Sequence, residues 1–212
     1  MNKLTKSIIQ HIPNPVFTVQ ELAVLEAGSD NTRHSLVKRA IADGDLIHIR
    51  RGCYALSPLY RKSVIQPFAV AQLVYGPSYI SLESALSAHG WIPEGVQEIT
   101  CVSVRPKRNF DTPLGNFSYQ QVPQNILYAG VARVQNETGQ SWMLASALKS
   151  LADYVYLHKL DWVSKYPLIE SLRIEKEQLL ELTAGDFESL ENNYSSRRVI
   201  RFLAGLKKEL FE

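Results

Sequence analysis

Basic and polar side chains that could contact DNA are concentrated in residues 29–56. Those in the first half of this stretch are Asn31, Thr32, Arg33, Ser35, Lys38 and Arg39. Two more, Arg50 and Arg51, precede Gly52. In the major groove asparagine can pair with adenine and arginine with guanine, and adjacent arginines on a turn suit phosphate contacts or the minor groove. These residue types predict contact with double-stranded DNA.

The elements that would position these side chains are a helix and a hairpin. Apolar residues recur at helical spacing from Leu36 to Ile41. Ser29, Asp30 and Asn31 offer capping oxygens before them, and Gly44 follows as a stop. Residues 46–49 and 53–56 are strand-like, and the two arginines lie at the tip between them. A basic helix followed by such a hairpin is typical of a winged helix, in which the helix enters the major groove and the hairpin lies along the backbone.

Two further predicted helices precede this pair. Residues 2–12 carry an apolar stripe that ends at Pro13. Thr18 and Glu21 fit a capping box that opens a second helix, which is predicted to run to about Ala27. Because helix, helix, turn, helix and hairpin is the order of a winged helix-turn-helix, we predict such a domain over residues 1–62.

Charge is distributed unevenly along the chain. Residues 1–62 contain nine Lys or Arg against five Asp or Glu, a balance of +4, whereas residues 63–212 contain fourteen against sixteen, a balance of −2. The basic excess therefore lies in the part predicted to contact DNA. A solvated amphipathic helix followed by a polar turn would contain the same residues, so this alternative stays open.

The remainder of the chain, residues 63–212, is predicted to form a mixed α/β effector domain, which makes the fold class α+β. Residues 99–104, 117–122 and 131–135 are strand-like. Residues 141–157 predict one continuous helix. A last helix is predicted over residues 195–210, with Ile200, Leu203 and Leu206 buried.

The sequence contains no recognisable set of catalytic residues. His89 has no second histidine, nucleophile elbow or paired carboxylate beside it in sequence. A nuclease-like site would need clustered acidic residues, whereas Glu83, Glu94, Glu98 and Asp111 are scattered. Lys149 and Asp153, four residues apart, predict an exposed or half-buried structural pair. We therefore expect a protein that is not an enzyme.

Two other basic clusters could bind nucleic acid or a phosphorylated partner, and solvated surface explains them equally well. One contains Arg105, Lys107 and Arg108 after a predicted strand. The other contains Arg197, Arg198 and Arg201 at the start of the last helix.

The composition of the chain bears on metal binding, secretion and membrane insertion. The two cysteines form neither a disulfide framework nor a CxxC zinc pattern, so no metal and no cofactor are expected. The first residues lack the pattern of a signal peptide, and no apolar run could span a membrane. We expect a cytoplasmic protein with no membrane partner.

Three stretches together resemble the AbiEi antitoxins of bacterial type IV toxin–antitoxin, or abortive-infection, systems. They are LIHIRRGCYAL at residues 46–56, YISLESALSAHGWIPEGVQEITCVS at residues 79–103 and SWMLASALKSLADYVYL at residues 141–157. They occur in the same order as in that family, and the resemblance extends over nearly the whole chain. The family usually has an acidic–lysine pair before the later Ala-Leu, whereas this chain has Ser146-Ala147-Leu148-Lys149 in that region. Asp153 keeps its expected place.

The resemblance implies a two-part protein. Its winged helix would bind inverted repeats in its own promoter and repress the operon, and its C-terminal domain would counter a nucleotidyltransferase-like toxin. Because one winged helix reads few base pairs, we expect two copies on a repeated operator, as a homodimer or as monomers that cooperate on DNA. A ligand-responsive winged-helix transcription factor with no paired toxin is the alternative.

Overall fold

A computed structural model of the chain describes residues 2–12, 14–26, 28–93 and 95–212. The fold is a mixed α+β structure with two sheets. Two predicted helix ends, Pro13 and Ala27, lie outside the described residues, as does Glu94.

The N-terminal part contains three helices and a small sheet. Its elements are α1 (Lys3–His11), β1 (Val16–Thr18), α2 (Val19–Leu25), α3 (Asp30–Ala42), β2 (Leu46–Arg50) and β3 (Cys53–Leu56). The strands are antiparallel in the order β1-β3-β2. Three predictions are confirmed here: the α1 helix, the α2 capping box of Thr18 with Glu21, and the β2–β3 hairpin. Each depends on signals that lie within one short segment.

The larger part contains seven helices and six strands among the described residues. Its elements are α4 (Pro67–Tyr75), β4 (Ser78–Ile80), α5 (Leu82–Ala88), β5 (Glu98–Ser103), β6 (Arg108–Thr112), β7 (Gly115–Gln121), β8 (Val131–Gln135), β9 (Ser141–Ala145), α6 (Ala147–Leu157), α7 (Tyr166–Leu172), α8 (Lys176–Leu179), α9 (Ala184–Ser189) and α10 (Arg197–Phe211). The strands form one mixed sheet in the order β6-β7-β5-β4-β9-β8.

The prediction of a single helix over residues 141–157 is wrong in its first third. Residues 141–145 form β9, which pairs antiparallel with β8 and parallel with β4, and α6 begins only after its N-cap Ser146. The apolar run containing Trp142 and Leu144 fits a helix or a buried strand equally well. The strand partners, distant in sequence, decide between the two.

The buried stripe of α10 is shifted from its predicted position. Val199, Phe202 and Leu206 are buried, whereas the side chain of Ile200 is 50% exposed. Both stripes have helical spacing, and they differ by a rotation of the helix about its axis. Packing against α6 and α9 selects the observed one.

Two apolar clusters hold the fold together. One lies among α1, α2, α3 and the outer face of the small sheet, and includes Ile8, Phe17 and Val37. The other fills the larger part and also takes in Val16 and Ile49 from the small sheet. The small sheet is therefore packed on both faces. Among the described residues, no helix has the length and apolar character needed to cross a membrane.

Candidate nucleic-acid interface

One face of α3 is covered with exposed polar and basic side chains. Ser29 caps the helix, because its Oγ accepts the backbone N–H of Thr32 at 3.2 Å. Val37 and Ala40 face the core. Five predicted DNA-contacting residues are exposed on the remaining surface: Asn31, Thr32, Ser35, Lys38 and Arg39. Positions three and four apart on a helix are surface neighbours, so these side chains form one continuous face.

The charge of this face is not neutralised by the protein. Neither Lys38 nor Arg39 forms an ion pair with a carboxylate in the part of the chain that the structure describes. The ammonium group of Lys38 and the guanidinium group of Arg39 are therefore exposed to solvent, where they could bind an anion.

Arg33 differs from the expectation that it points away from the core. Its side chain is only 15% exposed and forms an ion pair with Asp30. It also donates hydrogen bonds to the carbonyl oxygens of Glu26, at 3.2 Å, and Gly28. The guanidinium therefore ties the turn between α2 and α3 together, and its role is to position the helix.

The two hairpin arginines are in different environments. Arg51 is exposed, as expected for a tip. Arg50 is half-buried, with its guanidinium 5.7 Å from the ring centroid of Phe110 on β6, a cation–π distance. Its Nε is buried and has no hydrogen-bond partner among the residues that the structure describes. Since Phe110 is sixty residues away in sequence, no local pattern could indicate this contact.

A groove between α3 and the hairpin contains two histidines that the sequence analysis did not select. A cavity of about 350 Å³ is lined by His34, Lys38, His48 and Tyr54 among others. The rings of His48 and Tyr54 have centroids 5.6 Å apart. His34 lies between two selected residues of α3, and the two neighbours of His48 in β2 pack into the larger apolar cluster. The alternation of apolar and polar residues in β2 could have indicated an exposed side chain beside the helix.

A second polar cluster lies deep in the larger part, where Lys149 and Asp153 were predicted to be exposed or half-buried. That prediction is wrong, because both side chains are fully buried. The Lys149 ammonium donates to Asp153 Oδ1 at 3.2 Å, to Tyr194 Oη at 2.6 Å and to Gln124 Oε1. Its three protons are therefore all used.

The Asp153 carboxylate is equally saturated. Oδ1 also accepts the hydroxyl of Tyr194 at 2.7 Å, and Oδ2 accepts the hydroxyls of Tyr79 and Ser81, both at 2.8 Å. Burial lowers the pKa of Lys149, and the neighbouring carboxylate opposes that change. Burial and Asp153 raise the pKa of both tyrosines, so their hydroxyls stay protonated and donate. A closed network of this kind has no free position for a substrate.

His89 ends α5 as its C-cap, and its Nε2 lies 2.8 Å from the carbonyl oxygen of Ala145 on β9. Because this carbonyl ends a neighbouring strand, the His89 side chain links the end of α5 to β9. Within the described ranges, no three His, Cys, Asp or Glu side chains come close enough to hold a metal ion.

Comparison of the chain with protein-family models gives no match, and comparison with curated proteins gives none at a significant level. The resemblance to the AbiEi antitoxins thus depends on the three stretches quoted above. Two of them meet in the folded chain, because Tyr79 and Ser81 from residues 79–103 donate to Asp153 from residues 141–157.

Proposed function

We propose that the N-terminal part is a winged helix-turn-helix and that the protein is a sequence-specific DNA-binding repressor. The observation that carries this proposal is the exposed face of α3 next to the β2–β3 hairpin, with Lys38 and Arg39 in no ion pair among the described residues. A helix with such a face fits the major groove, and a hairpin beside it fits the backbone.

The basic side chains and Asn31 have distinct roles in this proposal. Asn31 and Arg39 offer the donors and acceptors that read adenine and guanine. Lys38 and Arg51 supply phosphate contacts, which position the helix without reading sequence. Arg33 holds the turn before α3 and so fixes the angle at which the helix is presented.

For the larger part we propose the role implied by the resemblance, that of an antitoxin domain countering a nucleotidyltransferase-like toxin from the same operon. The buried Lys149–Asp153 network supports this in one respect, since it joins two of the three resembling stretches into one structural unit. Repression by two copies on inverted repeats, as a dimer or as cooperating monomers, belongs to the same proposal.

The first test is a fluorescence-anisotropy titration on duplex DNA from immediately upstream of the gene, with random-sequence duplex as the reference. The variant Lys38→Ala/Arg39→Ala should lose affinity for the upstream duplex by about 1–3 kcal/mol for each base contact removed. The matched control Arg197→Ala/Lys208→Ala removes the same charge from exposed positions on α10 and should bind like wild type.

Two results would contradict the proposal. Absence of wild-type binding to any duplex at low salt would exclude DNA as the partner. Unchanged affinity in the α3 variant, with binding intact, would exclude α3 as the recognition helix.

A cavity of about 340 Å³ between α9 and α10 favours the alternative, a ligand-responsive transcription factor. Its lining is mostly apolar and includes Phe187, Leu190 and Leu203, with the hydroxyl-bearing Tyr194 and the ammonium of Lys207. This size and lining suit a small molecule. Native mass spectrometry of the purified protein would detect such a ligand, and its removal should then change the affinity for DNA.

A further inference from the structure

The cavity of about 340 Å³ between α9 and α10 has a largely apolar lining. Phe187 and Leu190 line it from the α9 side and are buried, and Leu203 lines it from α10 and is half-buried. Burying an apolar surface against these side chains removes it from water, which is favourable. The volume also falls within the range of roughly 300–1,000 Å³ that is typical of small-molecule sites.

Tyr194 lines the same cavity, but its hydroxyl is already engaged elsewhere. That hydroxyl donates to Asp153 Oδ1 at 2.7 Å and accepts a hydrogen bond from Lys149 Nζ at 2.6 Å. Tyr194 therefore offers its ring to the cavity and no hydrogen bond. Because the buried network holds this ring in place, part of the lining is ordered before a ligand arrives, which lowers the cost of binding.

The charged groups that line the cavity are two carboxylates and one ammonium. They belong to Glu188, Glu191 and Lys207, and all three residues are exposed. None of the three forms an ion pair in the part of the chain that the structure describes. Two negative charges and one positive charge leave a net charge of −1 beside the apolar lining. An organic cation with an apolar body has the complementary pattern.

A second cavity, of about 390 Å³ between β8 and α9, differs in its polar groups. There Ser146 Oγ accepts the backbone N–H of Lys149 at 3.2 Å, and Ser189 Oγ donates to the carbonyl of Asp186 at 2.7 Å. Asp186 Oδ2 accepts the backbone N–H and the hydroxyl of Thr183 at 2.8 and 2.7 Å. These groups stabilise the ends of α6 and α9, so the cavity between α9 and α10 is the stronger candidate for a ligand.

We propose that the α9–α10 cavity binds an organic ammonium ion with an apolar body, of the class of the arylalkylamines. The apolar body lies against Phe187, Leu190 and the ring of Tyr194, and the ammonium group is held by the carboxylates of Glu188 and Glu191. Because Lys207 leaves a single net negative charge in the lining, the site suits a monoamine. The inference names the ligand class for the second candidate function, the ligand-responsive transcription factor, and the binding itself is tested without DNA.

The test uses three probes that share a phenethyl group and differ in charge: phenethylamine, phenethyl alcohol and hydrocinnamate. Ligand-observed NMR titrations on the full chain at neutral pH measure the three affinities. Phenethylamine should bind about tenfold more tightly than phenethyl alcohol, because a hydrogen bond to a charged group contributes at least that factor. Hydrocinnamate should bind most weakly, since its carboxylate is repelled by the net negative charge of the lining.

Two variants locate the site. Glu188→Gln/Glu191→Gln should lower the affinity for phenethylamine to that for phenethyl alcohol and leave the alcohol unaffected. The matched control Glu170→Gln/Glu181→Gln removes the same charge from exposed positions outside the cavity and should bind like wild type.

Ala204→Phe places a bulky side chain in the cavity from an exposed position of α10 and should abolish binding of both probes. Because Glu188, Glu191 and Ala204 are all exposed, none of these changes removes a core side chain. Circular dichroism checks that each variant is folded.

Three results would overturn the inference. They are no binding of phenethylamine to wild type, tighter binding of hydrocinnamate than of phenethylamine, and binding that persists in Ala204→Phe. The titration on upstream duplex, repeated with saturating phenethylamine, separates this inference from the functional proposals. If phenethylamine binds and the affinity for DNA does not change, the cavity site stands and the ligand-responsive function fails. If no duplex is bound at all, the repressor proposal fails and the cavity site is unaffected.

Discussion

Asp153 accepts four hydrogen bonds from residues on separate segments of the chain. They come from Lys149 on α6, from Tyr194 before α10, from Tyr79 on β4 and from Ser81 after it. Removing two charges from water is costly, and the cost is offset only when pairing and hydrogen bonding are complete. Here they are complete, so the network fixes the positions of α6 and β4 relative to the segment before α10.

This leads to a prediction about single and double substitutions. Asp153→Ala leaves the Lys149 ammonium buried without its counter-charge, and should lower the free energy of unfolding by about 3–5 kcal/mol. Lys149→Met/Asp153→Leu removes both charges and should be less destabilising than Asp153→Ala alone. Urea denaturation measures the free energy of unfolding of the wild type and of both variants. A loss below about 1 kcal/mol for Asp153→Ala would mean that the network contributes little.

At the scale of elements, α3 is a helix with a narrow buried side. Only Val37 and Ala40 are buried among its thirteen residues. Tertiary packing therefore stabilises it less than a core helix, and the caps at its ends matter more. Ser29 satisfies the free N–H of Thr32, and Asp30 places a negative charge in the first turn, where the helix dipole favours it.

Ser29→Ala should accordingly destabilise the protein by about 1 kcal/mol. Ser196→Ala is the matched control, since Ser196 is the N-cap of α10 but makes no capping hydrogen bond through its side chain. The control should be nearly neutral. Thermal unfolding measures the loss of stability in both variants. If Ser29→Ala and Ser196→Ala cause equal losses, the capping hydrogen bond of Ser29 does not stabilise α3.

At the scale of the whole molecule, the predicted boundary after residue 62 does not separate the apolar clusters. Val16, Ile49, Cys53 and Ala55 of the small sheet are buried in the cluster that fills the larger part. A fragment ending at residue 62 would expose these side chains to water. Burial of an aliphatic side chain such as Val16 or Ile49 stabilises the fold by roughly 1.5–3 kcal/mol. Losing this burial would therefore remove much of the stability of a fragment as small as 1–62.

We therefore expect the full chain to unfold in one cooperative transition and the isolated fragment 1–62 to be largely unfolded. Calorimetry of the chain and circular dichroism of the fragment would measure this. The fragment 63–212 serves as the comparison, because it retains the buried residues of the larger cluster other than Val16, Ile49, Cys53 and Ala55. A stable fragment 1–62 with native helix content would contradict the expectation and support two independent domains.

Local elements of this protein could be predicted from sequence because their causes are local. The Thr18–Glu21 capping box and the Ser29 cap each lie within four residues, and the β2–β3 hairpin is one short segment. For the same reason, helical periodicity was sufficient to identify α3 and its exposed residues. The sequence alone thus determined the order of the helices and the hairpin in the N-terminal part, without β1, and most of the candidate interface.

Only the tertiary structure decided which charged residues are free and which are engaged. Arg33 and Lys38 look alike in sequence, yet Arg33 is bound to the preceding turn and Lys38 is exposed. Lys149 and Asp153 are spaced like a surface pair but are buried, and Arg50 meets Phe110 across sixty residues of chain. Burial and charge pairing depend on atoms brought together by the whole fold. Even for Lys149 and Asp153, which are close in sequence, the residues that bury and saturate the pair come from elsewhere in the chain.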